Sequence, residues 1–375
     1  MMAPDARPDD ASSQPDSVST RLLAAVREAI AQAGGWLPFD RFMALALYAP
    51  GLGYYANASR KFGTMPGSGS DFVTAPELSP CFGRALAPQV RQGLTEAGSG
   101  TVTEFGAGSG ALAEQLLDVL GDAVAAYQIV DLSGSLRARQ AERLACFAPK
   151  VRWLDRLPEA LDGVVLGNEV LDAMPVQLLH FDGAAWQERG VVNQPDGTLG
   201  WADRPTDLKP PFDGPFLPGT VTEVHPQAEA FIRTLAEVLT RGLLLLIDYG
   251  FPEAEYYHPQ RHQGTLVCHR AHRTDADPLA DLGLKDITAH VNFTGIALAG
   301  QEAGLDVAGY TSQARFLINC GLVGLLETAT LAERAMAQKL ITEHEMGELF
   351  KVIAFTRGID APLLGFAAGD RTHRL

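Results

Sequence analysis

Apolar positions along this chain recur at two spacings, and the change from one to the other divides it. From Thr20 the interval is helical, with Leu22, Leu23, Val26 and Ile30 on one face and Gly34-Gly35 as the stop. A second helix is expected from Phe39-Asp40 through Phe42, Leu45, Ala46 and Tyr48. A turn follows at Pro50–Tyr55, then an exposed loop at Gly63–Ser70 and a third helix from Pro80 to about Glu96. From Thr101 short extended runs alternate with helical ones. Val102–Phe105, Tyr127–Asp131, Val151–Leu154 and Val164–Gly167 read as strands, and Leu136–Phe147 as a helix between two of them. Leu178–Phe181, Ala185–Val192 and Leu199–Ala202 predict a meander, because Asp182-Gly183 and Asp196-Gly197 are hairpin-turn pairs. Pro205 to Pro218 is too rich in proline for regular structure. The alternation then resumes. Ala228, Phe231, Ile232, Leu235, Val238 and Leu239 form a helical stripe, and Arg241-Gly242 reads as its C-terminal cap. Leu243–Ile247 reads as a strand buried on both faces, and Val307–Thr311 and Val352–Thr356 as a closing pair. Strands alternating with helices predict a doubly wound α/β fold.

Composition narrows the partners. A net charge of −15 and a pI near 5.0 argue against a general nucleic-acid surface, which needs a basic field. They suit a small or cationic target. Cys81, Cys146, Cys268 and Cys320 are far apart and form no C-x-x-C, so free thiols in a reducing cytoplasm are expected. No apolar run approaches the ~18 residues that span a bilayer, and Met1-Met2-Ala3-Pro4-Asp5 is not a signal-peptide start. Residues 1–18 are rich in Pro, Asp, Ser and Ala and are expected to be a disordered tail.

The chemistry begins at Glu104-Phe105-Gly106-Ala107-Gly108-Ser109-Gly110. An extended run ends in a carboxylate, turns on three glycines and enters a helix. Glycine lets a backbone approach a nucleotide-like ligand, and Gly106-x-Gly108-x-x-Ala111 also satisfies the dinucleotide pattern. Glu104 separates the two readings. A carboxylate there opposes a pyrophosphate but suits S-adenosylmethionine (SAM), whose methionine end carries an ammonium and a sulfonium.

In open α/β sheets the ligand lies beyond the carboxyl ends of the strands. The second strand ends in Asp131, next to Leu132, where a carboxylate can accept hydrogen bonds from ribose hydroxyls. The fourth ends in Asn168-Glu169-x-x-Asp172, and the fifth in Asp248-Tyr249. Glu169 and Asp172 are three apart, so one helical turn would set both on one side, able to hold a guanidinium through paired bonds. His258, His262, His269 and His272 crowd one segment, but no metal-ligand spacing stands there, and a loop folding over the cleft is the expected role. No metal is expected.

These residues carry a resemblance. The chain resembles the SAM-dependent methyltransferase family of MidA and the mitochondrial complex I assembly-factor arginine methyltransferase, bacterial branch, over about Tyr48 to Gly321. The carriers are Tyr48-x-x-x-x-Gly53-Tyr54-Tyr55, the block Asp71–Gly83, the glycine turn, Asn168-Glu169-x-x-Asp172-Ala173-x-Pro175, Asp248-Tyr249-Gly250 and Asp286–Phe293. The resemblance implies a class I SAM-methyltransferase (Rossmann-like) seven-stranded sheet. It implies an N-terminal helical and cofactor-lid segment at 19–98 and a methyltransferase domain at 99–375, with insertions at about 178–218 and 251–290. It implies SAM as cofactor, against Glu104, Gly106, Ala107, Gly108, Gly110, Asp131, Leu132, Asn168, Thr74 and Pro76. Catalysis would fall to Glu169, Asp172 and Asn168. Substrate contacts would come from Asp71, Glu77, Asp248, Tyr249 and His272, with Asp71–Glu77 closing over the methionine end of SAM. It further implies a protein substrate methylated on arginine, in eukaryotic members a respiratory complex I subunit. No nucleic acid or membrane insertion is expected, and a homodimer is compatible with the sequence. Asn292 departs from the family, many of whose members carry Asp there. The rival readings are a non-catalytic assembly module on the same fold, an NAD-dependent oxidoreductase, and a nucleic-acid methyltransferase. No N-P-P-Y-type tetrapeptide follows the fourth strand to support the last.

Overall fold

A computed structural model describes residues 14–57, 73–131 and 134–375. The glycine- and serine-rich loop at 63–70, Asp71, Leu132 and the first 13 residues of the expected tail lie outside the described residues. The first helix, Gln14–Gln32, already covers positions 14–18 of that tail.

Seven strands build the central sheet: β1 Thr101–Phe105, β2 Ala126–Val130, β3 Val151–Leu154, β4 Leu161–Asn168, β5 Leu239–Phe251, β6 Asp306–Ser312 and β7 Phe350–Arg357. Their order is β3-β2-β1-β4-β5-β7-β6. The first five are mutually parallel, and β7 runs antiparallel to both β5 and β6. This is the class I methyltransferase sheet. Val291-Asn292 adds a short parallel pairing at the end of β5.

The uninterrupted apolar run in β5 is explained by two cores. Leu243, Leu245 and Ile247 pack with the helices Cys81–Ala97 and Ala111–Leu120 on one face. Leu244 and Leu246 pack with Pro226–Val238 and Phe293–Glu302 on the other. Alternate residues of one strand serve opposite layers, so no position is left for a polar side chain.

Arg241-Gly242 is not a helix cap. The helix stops at Val238 and the chain passes directly into β5, with a register shift at Leu239/Arg241. Gly242 is required because a Cβ there would stand 2.0 Å from the Gly163 carbonyl oxygen. The strands β4 and β5 close over that glycine.

The expected meander is present as Gln177–Phe181, Trp186–Asn193 and Leu199–Pro205. Val221–Val224 and Leu37–Pro38 extend it to five strands. Of the His-rich segment expected as a loop, His258 and His262 flank a short 3-10 helix, Pro259–Arg261, and His272 is on a turn, but His269 is in a three-stranded sheet of Val267–Arg270, Arg273–Asp275 and Asp286–Thr288. Three helices between β6 and β7, Gln313–Asn319, Leu322–Thr328 and Leu331–Ile341, supply Phe316, Leu322 and Leu340 to the core. The third opens with a capping box between Thr330 and Glu333. Among the described residues no helix is long and apolar enough to cross a membrane.

Candidate active site

The glycine turn lies at the switch point between β1 and β4. Gly106, Gly108 and Gly110 all have positive φ (62°, 56° and 83°), a conformation L side chains resist. A Cβ on Gly106 would also come 3.2 Å from Val170 Cγ2. Gly110 caps the helix Ala111–Leu120 and stays out of the cavity. Glu104 is buried and accepts a 2.7 Å bond from the Tyr127 hydroxyl. Burial pushes its pKa up to about 7, with Asp131 adding repulsion against the Tyr127 bond.

Gln140 ties this turn to β2. Fully buried, it donates to Asp131 Oδ2 at 2.8 Å and to the Gly108 carbonyl at 2.9 Å, and accepts from Trp153. Sequence reading did not find it, since it is one glutamine on an otherwise charged helix. Gln140→Leu would take the amide donors from both acceptors. It is expected to lower the unfolding free energy by about 2 kcal/mol in urea denaturation.

Glu77 is not placed for substrate. It accepts from Ser109 Oγ and from Arg143 at 2.9 Å, and Arg143 also reaches Ser109 Oγ and Glu114. These contacts brace the glycine turn at Ser109, which lines the main cavity, while Glu77, Arg143 and Glu114 do not.

The carboxyl end of β4 is shaped by Asp248. This buried carboxylate accepts three consecutive backbone N–H bonds, from Val170 (3.1 Å), Leu171 (2.8 Å) and Asp172 (3.3 Å). It does not line the cavity, and its bonds fold the turn whose residues do. That turn, not a helical one, brings Glu169 and Asp172 together. Glu169 has a φ of 54°, rare for a residue with a side chain, and its N–H donates to the Ile247 carbonyl at 2.9 Å. Backbone strain of this kind persists where the surroundings over-determine it. Burial pushes Glu169 up to about 8, Asp172 adding to it while Asn168 and the Ala75 N–H oppose. Burial likewise pushes Asp172 up to about 6, against the Tyr249 hydroxyl and the Ala173 N–H.

Both residues face a cavity of about 990 Å³. Of the sequence-predicted residues, Glu104, Gly106, Ala107, Gly108, Asp131, Thr74, Pro76, Asn168, Glu169, Asp172 and Tyr249 line it; Gly110, Glu77, Asp248 and His272 do not. His272 is exposed, on the turn after Val267–Arg270, at a φ of 59°. The wall also includes Tyr48, Tyr55, Asp286, Thr288 and His290, which sequence reading left without a role, and His269 from the segment expected to fold over the cleft. All but His269 lay in stretches that carried the resemblance. Asn292 caps the helix Phe293–Glu302 by accepting from Gly295, a bond an aspartate would also make. Among the described residues no group of three or more His, Cys, Asp or Glu side chains could hold a metal.

Five carboxylates line this wall, Glu104, Asp131, Glu169, Asp172 and Asp286, and no lysine or arginine does among the described residues. Asn168 Oδ1 and Asp172 Oδ1 are buried there with no hydrogen-bond partner among the described residues. Raised carboxylates and orphaned acceptors are what a cation with N–H donors would relieve. SAM is such a cation, and the glycine turn leaves room for its approach.

Sheet order, glycine turn and acid-rimmed crevice together define a SAM-dependent methyltransferase. Residues 81–311 match the family of S-adenosyl-L-methionine-dependent methyltransferases, and the chain belongs to it. A Burkholderia thailandensis protein crystallised with S-adenosyl-homocysteine (SAH) bound is 50% identical, with a TM-score of 0.93 over 100% of both chains. A native crystal structure from the same organism is 49% identical, with a TM-score of 0.88 over 100% of both chains. The chain is also similar to the Drosophila melanogaster "Protein arginine methyltransferase NDUFAF7 homolog, mitochondrial", 27% identical over 98% of this chain and 93% of that one. The Danio rerio "Protein arginine methyltransferase NDUFAF7, mitochondrial" is 27% identical over 85% and 83%.

Proposed function

We propose that this enzyme methylates an arginine side chain of a protein. The carrying observation is that three carboxylates besides those at the glycine turn, Glu169, Asp172 and Asp286, line the cavity with no lysine or arginine among the described residues. A guanidinium stays protonated at any physiological pH, so it must be held by opposite charge, and its planar donors match paired carboxylate oxygens. The distant relatives named as protein arginine methyltransferases support the same acceptor.

Glu104, Asp131 and the turn Gly106–Gly108 are the residues that would hold SAM. When bound, SAM supplies an activated methyl group for in-line transfer. Asp172 and Glu169 orient the acceptor nitrogen, and proximity does most of the work. That nitrogen loses a proton as it gains the methyl group. Glu169 in its ionised form is placed to take it: its carboxyl is held up to about 8 in the empty cavity, and a cation beside it favours the ionised form that accepts the proton. The family resemblance makes a respiratory complex I subunit the first protein to assay.

The test is tritium transfer from [methyl-³H]SAM into lysate protein of cells lacking this gene, then acid hydrolysis and chromatography. Methylarginine is the expected labelled product. Label in lysine would reject the arginine reading, and no label would favour a non-catalytic assembly module.

Glu104 makes cofactor binding pH-dependent. Its folded pKa of about 7 lies above the ordinary 4.5. The stability this group contributes is therefore present below about 4.5 and lost as pH rises through about 7. A cation beside it reverses that preference. SAM binding is expected to release protons near pH 6.5 and to tighten as pH rises to about 7.5. Calorimetry in buffers of different ionisation enthalpy measures both.

A further inference from the structure

Of the cavity residues without a role so far, one carries an unpartnered buried atom among the described residues. His290 lies between the strand Asp286–Thr288 and Val291-Asn292, and its Nδ1 is buried with no hydrogen-bond partner among the described residues. The only other unpartnered buried side-chain atoms on the cavity wall, among the described residues, are Asn168 Oδ1 and Asp172 Oδ1. An orphaned buried polar atom is costly, and three on one wall mark where a ligand completes the bonding.

The imidazole is fixed. It lies flat on Phe251, with 5.3 Å between centroids and 5° between planes, and meets Tyr249 edge-on at 5.0 Å and 84°. The His290 backbone N–H donates to Thr265 Oγ1 at 3.1 Å. Tyr249, in turn, has its hydroxyl beside Asp172 and Thr288. Its orientation is thus set by these two aromatic neighbours. Its charge state is decided as well. Burial, with Arg261, Lys351 and His269 nearby, pushes it down to about 4, against a bond from the ring to the Thr265 backbone. The Arg261 guanidinium lies 3.8 Å from the Phe251 ring centroid on which His290 stacks. A neutral imidazole has one nitrogen able to accept a hydrogen bond.

We propose that His290 positions the methyl acceptor: its neutral imidazole accepts a hydrogen bond from an N–H of the acceptor group, beside Asn168 and Asp172. With the acceptor read as a guanidinium under the function proposed above, five in-plane donors meet acceptors on three side chains. His290 is a positioning residue and not the proton store. A group that titrates near 4 returns a proton that Glu169 would keep.

The experiment compares parent enzyme, His290→Phe, His290→Asn and His290→Leu. It uses [methyl-³H]SAM and lysate protein from cells lacking the gene as acceptor, with SAH affinity measured by calorimetry. Phenylalanine keeps the stack on Phe251 without a nitrogen. Asparagine and leucine are similar in size, and only asparagine can accept. Transfer at low acceptor concentration is expected to fall about tenfold or more in the phenylalanine and leucine variants. Asparagine is expected to recover much of it, and SAH affinity to stay within about twofold throughout. Parental activity in His290→Phe would overturn the assignment, and so would equal activity in the asparagine and leucine variants. Loss of SAH affinity in His290→Phe would also overturn it, making the ring a prop for the fold. The arginine reading is judged separately, by which amino acid carries the label.

Discussion

Gly106→Val should abolish SAM and SAH binding at concentrations that saturate the parent. The backbone there has a φ of 62°, and a β-branched residue in that region is a genuine outlier. Holding one such residue costs about 1–3 kcal/mol. The new Cβ would also stand 3.2 Å from Val170 Cγ2, so the turn must shift to admit it. The same turn is bonded through Gly108 to Gln140, and through Gln140 to Asp131, so a shift at Gly106 disturbs the wall on both sides. Calorimetric titration with SAH decides the matter. Parental affinity in the variant would mean that the glycine turn is not where the cofactor binds.

Glu169→Gln and Asp172→Asn should each cut methyl transfer about a hundredfold or more while leaving SAH affinity within a few-fold. Groups aimed at charge that develops in the transition state carry effects of that size. The turn is held by the Asp248 carboxylate and the Ile247 carbonyl through backbone atoms, so neither substitution removes its supports. A stability gain should accompany the loss of Glu169. Its folded pKa of about 8 lies above the ordinary 4.5. The parent therefore holds this group's stabilisation below about 4.5 and loses it as pH rises through about 8. A glutamine side chain cannot ionise, so the Glu169→Gln variant should melt above the parent at pH 8.5 and close to it at pH 4.5. Transfer by the parent should rise from pH 6 to 8 as Asp172 and Glu169 ionise, and Glu169→Gln should flatten the upper part of that rise. Undiminished transfer by both variants would remove these carboxylates from the mechanism.

Much of the fold was legible along the chain. Every strand of the central sheet was expected within a few residues, because period-two burial and continuous apolar runs are local signals. The helix supplying Leu322 and the strand Val221–Val224 were not, since a short polar-flanked segment takes its structure from what it packs against. At the site, polar strand ends pointed to the cavity wall, yet two of the expected acidic positions do not line it. Glu77 and Asp248 look like ligand groups in sequence and are occupied by Ser109, Arg143 and backbone N–H donors in space. Gln140, Tyr55 and His290 were given no role because no local rule marks a residue whose partners come from other elements: Gln140 bonds Gly108, Asp131 and Trp153, and the Tyr55 hydroxyl donates to Asp286.

By itself the sequence determined the layered α/β sheet, the three-glycine turn and the sign of the charge that meets the ligand. Each depends on periodicity, on glycine's freedom at positive φ, or on residue type, all of which are properties of neighbours in the chain. Only the tertiary structure decided which carboxylates face the cavity and which brace it. That choice rests on where each side chain finds its hydrogen-bond donors, and those donors come from strands and turns far away in sequence.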